Sequence, residues 1–338
     1  MSEPLVSVLI PNYCHSLFLE QRLSSVLNQS YQNFEVIILD DASPDNGASK
    51  QIIEQYRSHP KVSKIIYNTV NCGSPFKQWK KGLDFAKGDW VWIAESDDFC
   101  ELSFLQACVD SITSHDALSF VYCKSCLVNA SGDVIGYAPS APGGYYEGLT
   151  FIKKYMTAGS SVWNASAVLF NGSSARKCID KVLNYRAAGD YLFWCLLAET
   201  GNVGVIDKPL NAFRQHDEKV TPKSSIDGTE DKEVLQVLLH LKERGYLKGV
   251  TRYRSMRHYF HRLFGWGYTS EALRSQLLRK YADLASLPVL FYRIEFFFYR
   301  VLRRSLVLTV SLHEEEAREV YWIYFIRTLI SFMRASPS

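Results

Sequence analysis

The stretches Val6-Ser7-Val8-Leu9-Ile10-Pro11-Asn12-Tyr13 and Trp90-Val91-Trp92-Ile93-Ala94-Glu95-Ser96-Asp97-Asp98 decide the fold. Each is a continuous apolar run that turns polar at its carboxyl end, the signature of a strand buried on both faces of a parallel sheet. Working outward, 34–39 is a third such run and ends in Asp40-Asp41; 62–67 and 118–122 are further strand candidates. Apolar residues at helical spacing fill the intervals, predicting helices over 17–27, 48–58, 75–86 and 102–114. Strand and helix alternating this regularly predict a parallel sheet covered by helices on both faces.

Beyond residue 123 the pattern loosens. A turn at 129–132 separates two short strands, 139–144 is a Pro/Gly-rich loop, and helices are expected at 147–157 and 190–199. Strands follow near 203–206 and 210–214. The polar stretch 221–227 is the best linker, and 230–285 and 289–333 read as helical. The expected division is therefore an α/β domain over 1–225 and a helical region over 226–338.

Composition excludes several classes. Among 338 residues, 47% are hydrophobic and 22% charged, which no wholly disordered chain would show. The formal charge of +3 is too small to argue nucleic-acid binding. It is unevenly spread: residues 242–304 hold 14 Lys/Arg against 4 Asp/Glu, whereas 1–241 hold 21 against 27. The eight cysteines sit mostly in apolar stretches, as reduced buried thiols do, and Cys123-x-x-Cys126 lacks a second pair or a nearby His to make a zinc site. No stretch reaches the ~18 uncharged apolar residues of a spanning helix.

Ligands of parallel α/β sheets bind where loops meet outside the carboxyl ends of the strands. Two acidic pairs, Asp40-Asp41 and Asp97-Asp98, stand at such ends. Four carboxylates brought together need a cation or hydrogen-bond donors to stay ionised. One reading is a nucleotide-plus-metal site; the plainer one is that the acids cap the following helices. Neither G-x-x-x-x-G-K-[ST] nor G-x-G-x-x-G follows the first strand, so bound phosphates would rely on a hard divalent ion, Mg²⁺ or Mn²⁺. The D-x-D-x-[TV] pattern of a phosphatase nucleophile is also missing.

Together these residues carry a resemblance. The first strand with Pro11-Asn12-Tyr13, then Asp40-Asp41-Ala42-Ser43-Pro44-Asp45, then Ala86-Lys87-Gly88-Asp89-Trp90 leading to Glu95-Ser96-Asp97-Asp98, resemble the family 2 glycosyltransferases. Ala188-Gly189-Asp190-Tyr191-Leu192-Phe193-Trp194 and Arg214-Gln215-His216 continue it, so that it spans roughly residues 4–220 in the family's order. The resemblance implies a GT-A fold with a mostly parallel central sheet: a nucleotide-binding half (1–122) and an acceptor-binding half (123–225). It implies an inverting enzyme that moves a sugar from a nucleotide-diphosphate sugar, a UDP-sugar foremost, to a hydroxyl of a cell-surface glycan or lipid-linked acceptor.

Roles are implied position by position. Pro11 and Tyr13 would line the nucleobase pocket, with Asp41 accepting a hydrogen bond from the base. Glu95, Asp97 and Asp98 would form the acidic motif on the ribose and diphosphate, Asp98 and His216 holding the metal. Asp190 would be the general base, and Arg214 would face the diphosphate. The family's Ala-Arg-Asn before the helix glycine is replaced here by Gln78-Trp79-Lys80-Lys81-Gly82; Lys77 or Lys80 is a candidate for the missing cation, or simply part of a solvated face. Donor choice is expected to depend on the loops of 139–165.

The basic, aromatic C-terminal helices fit two readings equally: an amphipathic surface lying on a membrane, or a bundle packed on itself or a second subunit. Aromatic–basic interleaving without a nucleic-acid fold does not argue for nucleic acid. The expected location is the cytoplasm, with peripheral contact at the cytoplasmic face of the membrane left open. Two alternatives remain: a non-catalytic glycan-binding or assembly subunit with the same fold, and a sugar nucleotidyltransferase, which would carry a Gly-rich loop where Pro11-Asn12-Tyr13 stands.

Overall fold

The structure, a computed structural model, describes residues 3–216 and 226–309. It falls into two compact units, Met1–Leu247 and Lys248–Ser338. The division expected at 225 falls early. Helix α8 (Thr229–Glu243) belongs to the first unit, because its buried Val234, Leu235, Val237, Leu238 and Leu241 pack there. Most of the expected linker, and the expected helix beyond 309, lie outside the described residues.

The first unit is built on one mixed sheet. Strands β1 (Val6–Asn12), β2 (Phe34–Asp40), β3 (Val62–Tyr67) and β4 (Trp90–Ile93) alternate with α1 (Ser16–Leu27), α2 (Ala48–Gln55) and α3 (Pro75–Phe85). After β5 (Phe99–Cys100) and α4 (Phe104–Ser114) come β6 (Leu118–Val128), β7 (Val134–Tyr137) and β8 (Gly144–Tyr146). A short helix α5 (Gly148–Phe151) running into a π turn, then β9 (Val168–Asn171), α6 (Gly172–Cys178), α7 (Gly189–Ala198) and β10 (Asn202–Arg214) complete it. The spatial order is β3-β2-β1-β4-β9-β6-β10-β5, with β7 on β6 and β8 on β10.

This order positions the site. Strands β1 to β4 pair in parallel, β9 is antiparallel to both β4 and β6, and β10 runs parallel to β6. The carboxyl ends of β1, β2, β4, β6 and β10 therefore share one edge. The order reverses between β1 and β4, which makes a crevice of the kind in which α/β sheets bind ligands. Asn12 pairs with Asp40, so the loops after β1 and β2 start level, whereas Ile93 pairs with Leu9, so the loop after β4 starts three residues lower and runs along the end of β1.

Burial explains the legible strands. Val6, Val8, Ile10, Val36, Ile38 and Trp92 meet Leu19, Leu23 and Val26 of α1 on one face of the sheet. The turn from α3 to β4 needs Gly88: a Cβ there would lie 2.5 Å from the Leu5 carbonyl oxygen. Its N–H donates to Ser7 Oγ at 2.8 Å, which ties β4 to β1. The two strands expected near 203–214 are one strand, bulged where Asp207-Lys208 is exposed. All eight cysteines are free thiols.

The second unit packs α9 (Gly249–Gly265), α10 (Glu271–Ala282) and α11 (Val289–Thr309). Its core includes Tyr259, Phe260, Leu263, Leu277, Tyr281 and Tyr292, with the Phe260 and Tyr292 rings 4.7 Å apart. Among the described residues no helix is long and apolar enough to cross a membrane.

Candidate active site

The loop after β4 is fixed from within. Asp98 is fully buried, and both its oxygens are taken by protein donors. Oδ2 accepts from Asn164 Nδ2 at 2.8 Å and Ser166 Oγ at 2.7 Å; Oδ1 accepts from the Arg214 N–H at 2.9 Å. The guanidinium of Arg22, also fully buried, lies 3.9 Å from Asp98 and donates through Nε to the Glu95 carbonyl at 2.8 Å. Ser166 Oγ in turn accepts from the Glu95 N–H at 3.1 Å. A buried carboxylate needs this many donors to remain charged. Asp98 is thus the hub that shapes the loop, and it also stands, with Glu95 and Asp97, in a group of carboxylates close enough to hold a cation.

Asp97, beside it, faces other partners. Its Oδ2 lies 3.0 Å from His216 Nε2, at the end of β10, and its Oδ1 lies 4.0 Å from His15 Nδ1, just before α1. His15 Nδ1 is also 2.9 Å from Ser96 Oγ, and the two imidazoles meet edge to face at 5.6 Å. One ligand atom from each of His15, Asp97 and His216 falls within 4.8 Å of the others, and so does one from each of Glu95, Asp97 and Asp98. Asp97 is common to both groups. Both Mg²⁺ and Mn²⁺ prefer oxygen, but Mn²⁺, a transition-metal ion, accepts imidazole more readily, so two imidazoles with a carboxylate favour Mn²⁺ of the two.

At the end of β2 the two acids divide their work. Asp40 accepts from Asn12 Nδ2 at 2.8 Å and from Ser43 Oγ at 2.7 Å, closing the turn. Asp41 accepts from Asn68 Nδ2 at 2.6 Å, Gln78 Nε2 at 2.7 Å, the Cys72 N–H at 3.0 Å and the Cys72 thiol at 3.0 Å. Four donors match the roughly four lone-pair sites of a carboxylate. The backbone turns sharply here: Cys14 and Ala42, neither a glycine, sit at φ 59° and 57°. Left-handed residues of this kind gather at ligand loops.

Asp190 stands in the first turn of α7, half-buried. Burial raises its carboxyl to about 6; the carboxylates of Glu230 and Glu233 push the same way, against the Tyr191 N–H that donates to Oδ1 at 2.8 Å. The loop before it is anchored twice. Glu233 of α8 accepts from the N–H groups of Arg186, Ala187 and Ala188, each at 2.8 Å. Ser74 Oγ donates to the Tyr185 carbonyl at 3.0 Å, connecting this loop with the segment that carries Cys72 and Gln78. Gly189 is required where it stands, since a Cβ would lie 2.5 Å from the Phe76 ring.

The remaining expected residues are placed as follows. Pro11 is half-buried in β1, and Tyr13 at its end is 45% exposed. Glu95 begins the acidic loop, partly exposed. Arg214 is buried and fully engaged: it donates to the carbonyls of Asp97, Asn129 and Ala130 and to Gln21 Oε1, between the rings of Phe18 and Phe99. It braces the acidic loop instead of presenting a free cation to a diphosphate. Lys80 pairs with Asp180 at 3.2 Å and Asp84 at 3.8 Å, so its charge is spent on the α3 side and not on the acidic loop. His15, Arg22, Asn164, Ser166, Gln78 and Glu233 were not expected; only His15, a few residues past the first strand, carried a positional signal.

A parallel-stranded α/β unit with an acidic loop at its switch point defines the GT-A class, and comparison with known proteins agrees. Residues 7–135 match the family model for "Glycosyl transferase family 2", and by sequence this half of the unit belongs to that family. Chondroitin synthase of Escherichia coli is 30% identical over 132 residues, 39% of this chain and 19% of that protein. The fold matches S. aureus TarS in complex with UDP-GlcNAc (TM-score 0.60, 18% identity, 82% of this chain and 80% of that one). It also matches the mannosyltransferase PcManGT from Pyrobaculum calidifontis in complex with GDP-Man and Mn²⁺ (TM-score 0.55, 14% identity, 95% and 84%). The chain spans less than half the length of the first curated relatives it matches.

Proposed function

We propose that this chain transfers a sugar from a nucleotide-diphosphate sugar to a hydroxyl of a cell-surface glycan or lipid-linked acceptor, inverting the anomeric centre with the help of a divalent cation. The observation that carries the reading is the meeting of His15, Asp97 and His216, from three distant parts of the chain, at the switch point of the sheet. Family 2 membership of residues 7–135 supports it, as does the donor bound in TarS.

In this reading Asp97, His216 and His15 hold the cation, with Mn²⁺ fitting the donor set. When bound, the ion neutralises charge that develops on the departing diphosphate. Asp98, Arg22 and Arg214 keep the loop rigid so that Asp97 is aimed without reorganisation. Asp41 recognises the base: an incoming N–H takes the position of the Cys72 thiol, the weakest of its four donors, on a residue that is partly exposed. Asp190 takes the proton of the acceptor hydroxyl as that oxygen bonds to the anomeric carbon and the carbon–phosphate oxygen bond breaks on the opposite face. A base with pKa about 6 is ionised at neutral pH yet still basic enough to accept the proton.

Thermal shift with UDP, GDP, CMP and dTDP, each with and without Mn²⁺, tests the reading. A rise in Tm that requires both Mn²⁺ and a nucleoside diphosphate, UDP foremost, is expected. No shift with any nucleotide would overturn it.

A further inference from the structure

Helix α11 of the second unit presents two chemistries on one face. Leu290, Ile294 and Phe297 are 65%, 40% and 63% exposed, and their spacing puts them in a single stripe. Arg293 and Arg300, both exposed, flank that stripe. They open onto a cleft of about 310 Å³ whose walls include Arg274, Phe264 and Phe296. The Arg293 guanidinium lies over the Phe264 ring at 5.5 Å, and that of Arg300 over Phe296 at 5.9 Å. Arg274 is held by Glu271 and by the Trp266 carbonyl, both at 2.7 Å, and its buried Nε has no hydrogen-bond partner among the described residues. Three guanidiniums thus face one carboxylate, Glu271.

The exposed apolar stripe and the buried Arg274 Nε, unpartnered among the described residues, are costly on a surface facing only water. Stacking on phenylalanine fixes the guanidiniums without neutralising them, and an exposed apolar stripe gains nothing from solvent. Arginine and aromatic side chains also enrich protein–protein interfaces, but this face, with three guanidiniums and one carboxylate lining its cleft, offers no complementary acids to a second copy of itself, and like charges brought together are costly. A lipid surface answers both: anionic phosphates meet the arginines while apolar side chains enter the acyl boundary. Exposed Trp266, 43% accessible, suits the same depth.

We propose that this cleft binds the phosphate of an anionic lipid headgroup, with Arg293 and Arg300 donating to its oxygens and Leu290, Ile294 and Phe297 entering the acyl layer. The inference does not rest on the activity assigned to the first unit. Full-length protein is sedimented with phosphatidylcholine vesicles, pure or containing about one third phosphatidylglycerol. Wild type is expected on the anionic vesicles and released by high salt. R293Q/R300Q should lower partition about thirty-fold, whereas R293K/R300K largely keeps it. F297S should weaken binding further, and soluble glycerol phosphate should compete poorly. Equal partition onto pure phosphatidylcholine, no binding to either vesicle, or an unchanged R293Q/R300Q would overturn the proposal. So would glycerol phosphate competing as well as vesicles, which would make the ligand a free phosphate. The nucleotide-dependent Tm shift of each variant, read in parallel, separates failure here from failure of the first unit.

Discussion

The imidazole of His216 and the carboxylate of Asp97 meet at 3.0 Å across a sequence separation of 119 residues. Only the parallel pairing of β6 with β10, and the antiparallel β9 between β6 and β4, brings the ends of β4 and β10 to the same edge. Two residues so far apart, with His15 as a third, form a donor set that no local helix cap requires.

If that set holds the cation, Asp97→Asn and His216→Ala should each weaken Mn²⁺ binding measured by calorimetry. Each should also lower kcat/KM by roughly 10²–10³-fold, as expected for losing one preorganised stabiliser of a developing charge. Asp98→Asn should behave differently. It removes the countercharge of a buried guanidinium, so it should cost about 3–5 kcal/mol in urea unfolding before any assay is run. A stable Asp98→Asn protein that has lost only Mn²⁺ affinity would return the ligand role to Asp98.

The base-binding cradle predicts an unusual pair of substitutions. Cys72→Ala vacates one acceptor site on Asp41 and should leave the donor KM unchanged or lower it. Cys72→Ser puts a stronger donor in the same place and should raise the donor KM several-fold, with kcat unaffected. Steady-state kinetics of both variants decides whether the thiol competes with the base. A KM unmoved by Cys72→Ser would separate Asp41 from base recognition.

How much of this was legible depends on where the information resides. Strands β1, β2 and β4 announce themselves because burial on both faces demands apolar residues, whereas β3, at the sheet edge, carries exposed Ser63 and Lys64. The two-residue β5 and the four-residue β9 are too short for periodicity, and exposed Asp207-Lys208 makes β10 read as two strands. In the site, Asp41, Asp97, Asp190 and His216 stand out as polar residues at element ends. Arg22 was invisible because a lone Arg in an amphipathic helix ordinarily faces solvent; its burial follows from Asp98, far along the chain. The charge on Lys80 invited a site role, but Asp84 lies one turn away on the same helix and Asp180 beside it. Helix α8 itself is legible within 230–285, but the polar stretch 221–227 sets the boundary before it; that it belongs to the first unit follows from its apolar face and from Glu230 and Glu233, which face the loop of Asp190.

Asp190 makes opposite predictions for activity and stability. As a base it must be ionised, so kcat/KM should rise with pH and level off above about 6, and Asp190→Asn should lower kcat by about 10²–10⁴-fold with nucleotide affinity intact. A carboxyl raised by the fold favours the protonated state. Its contribution to stability is complete below its ordinary value and is lost as pH rises through about 6. Asp190→Asn should therefore match wild type in urea unfolding near pH 3.5 and exceed it at pH 7.5 by on the order of 2 kcal/mol. Full transfer activity in Asp190→Asn would place the base elsewhere.

Glu233 tests whether the field around that base matters apart from its scaffold. Glu233→Gln keeps one acceptor for the backbone of 186–188 and removes the charge, so the carboxyl of Asp190 should fall toward its ordinary range. The acid limb of kcat/KM should move to lower pH, with a lower plateau because a weaker base accepts the proton less readily. Glu233→Ala removes charge and scaffold together. It should shift the limb equally but also raise the acceptor KM, as the freed loop lets Asp190 wander from the hydroxyl. Glu230 raises the carboxyl of Asp190 as well, and the Glu230→Gln limb should move in the same direction. A limb that stays at about 6 in all three variants would mean that burial alone sets the base, leaving Glu233 a structural brace.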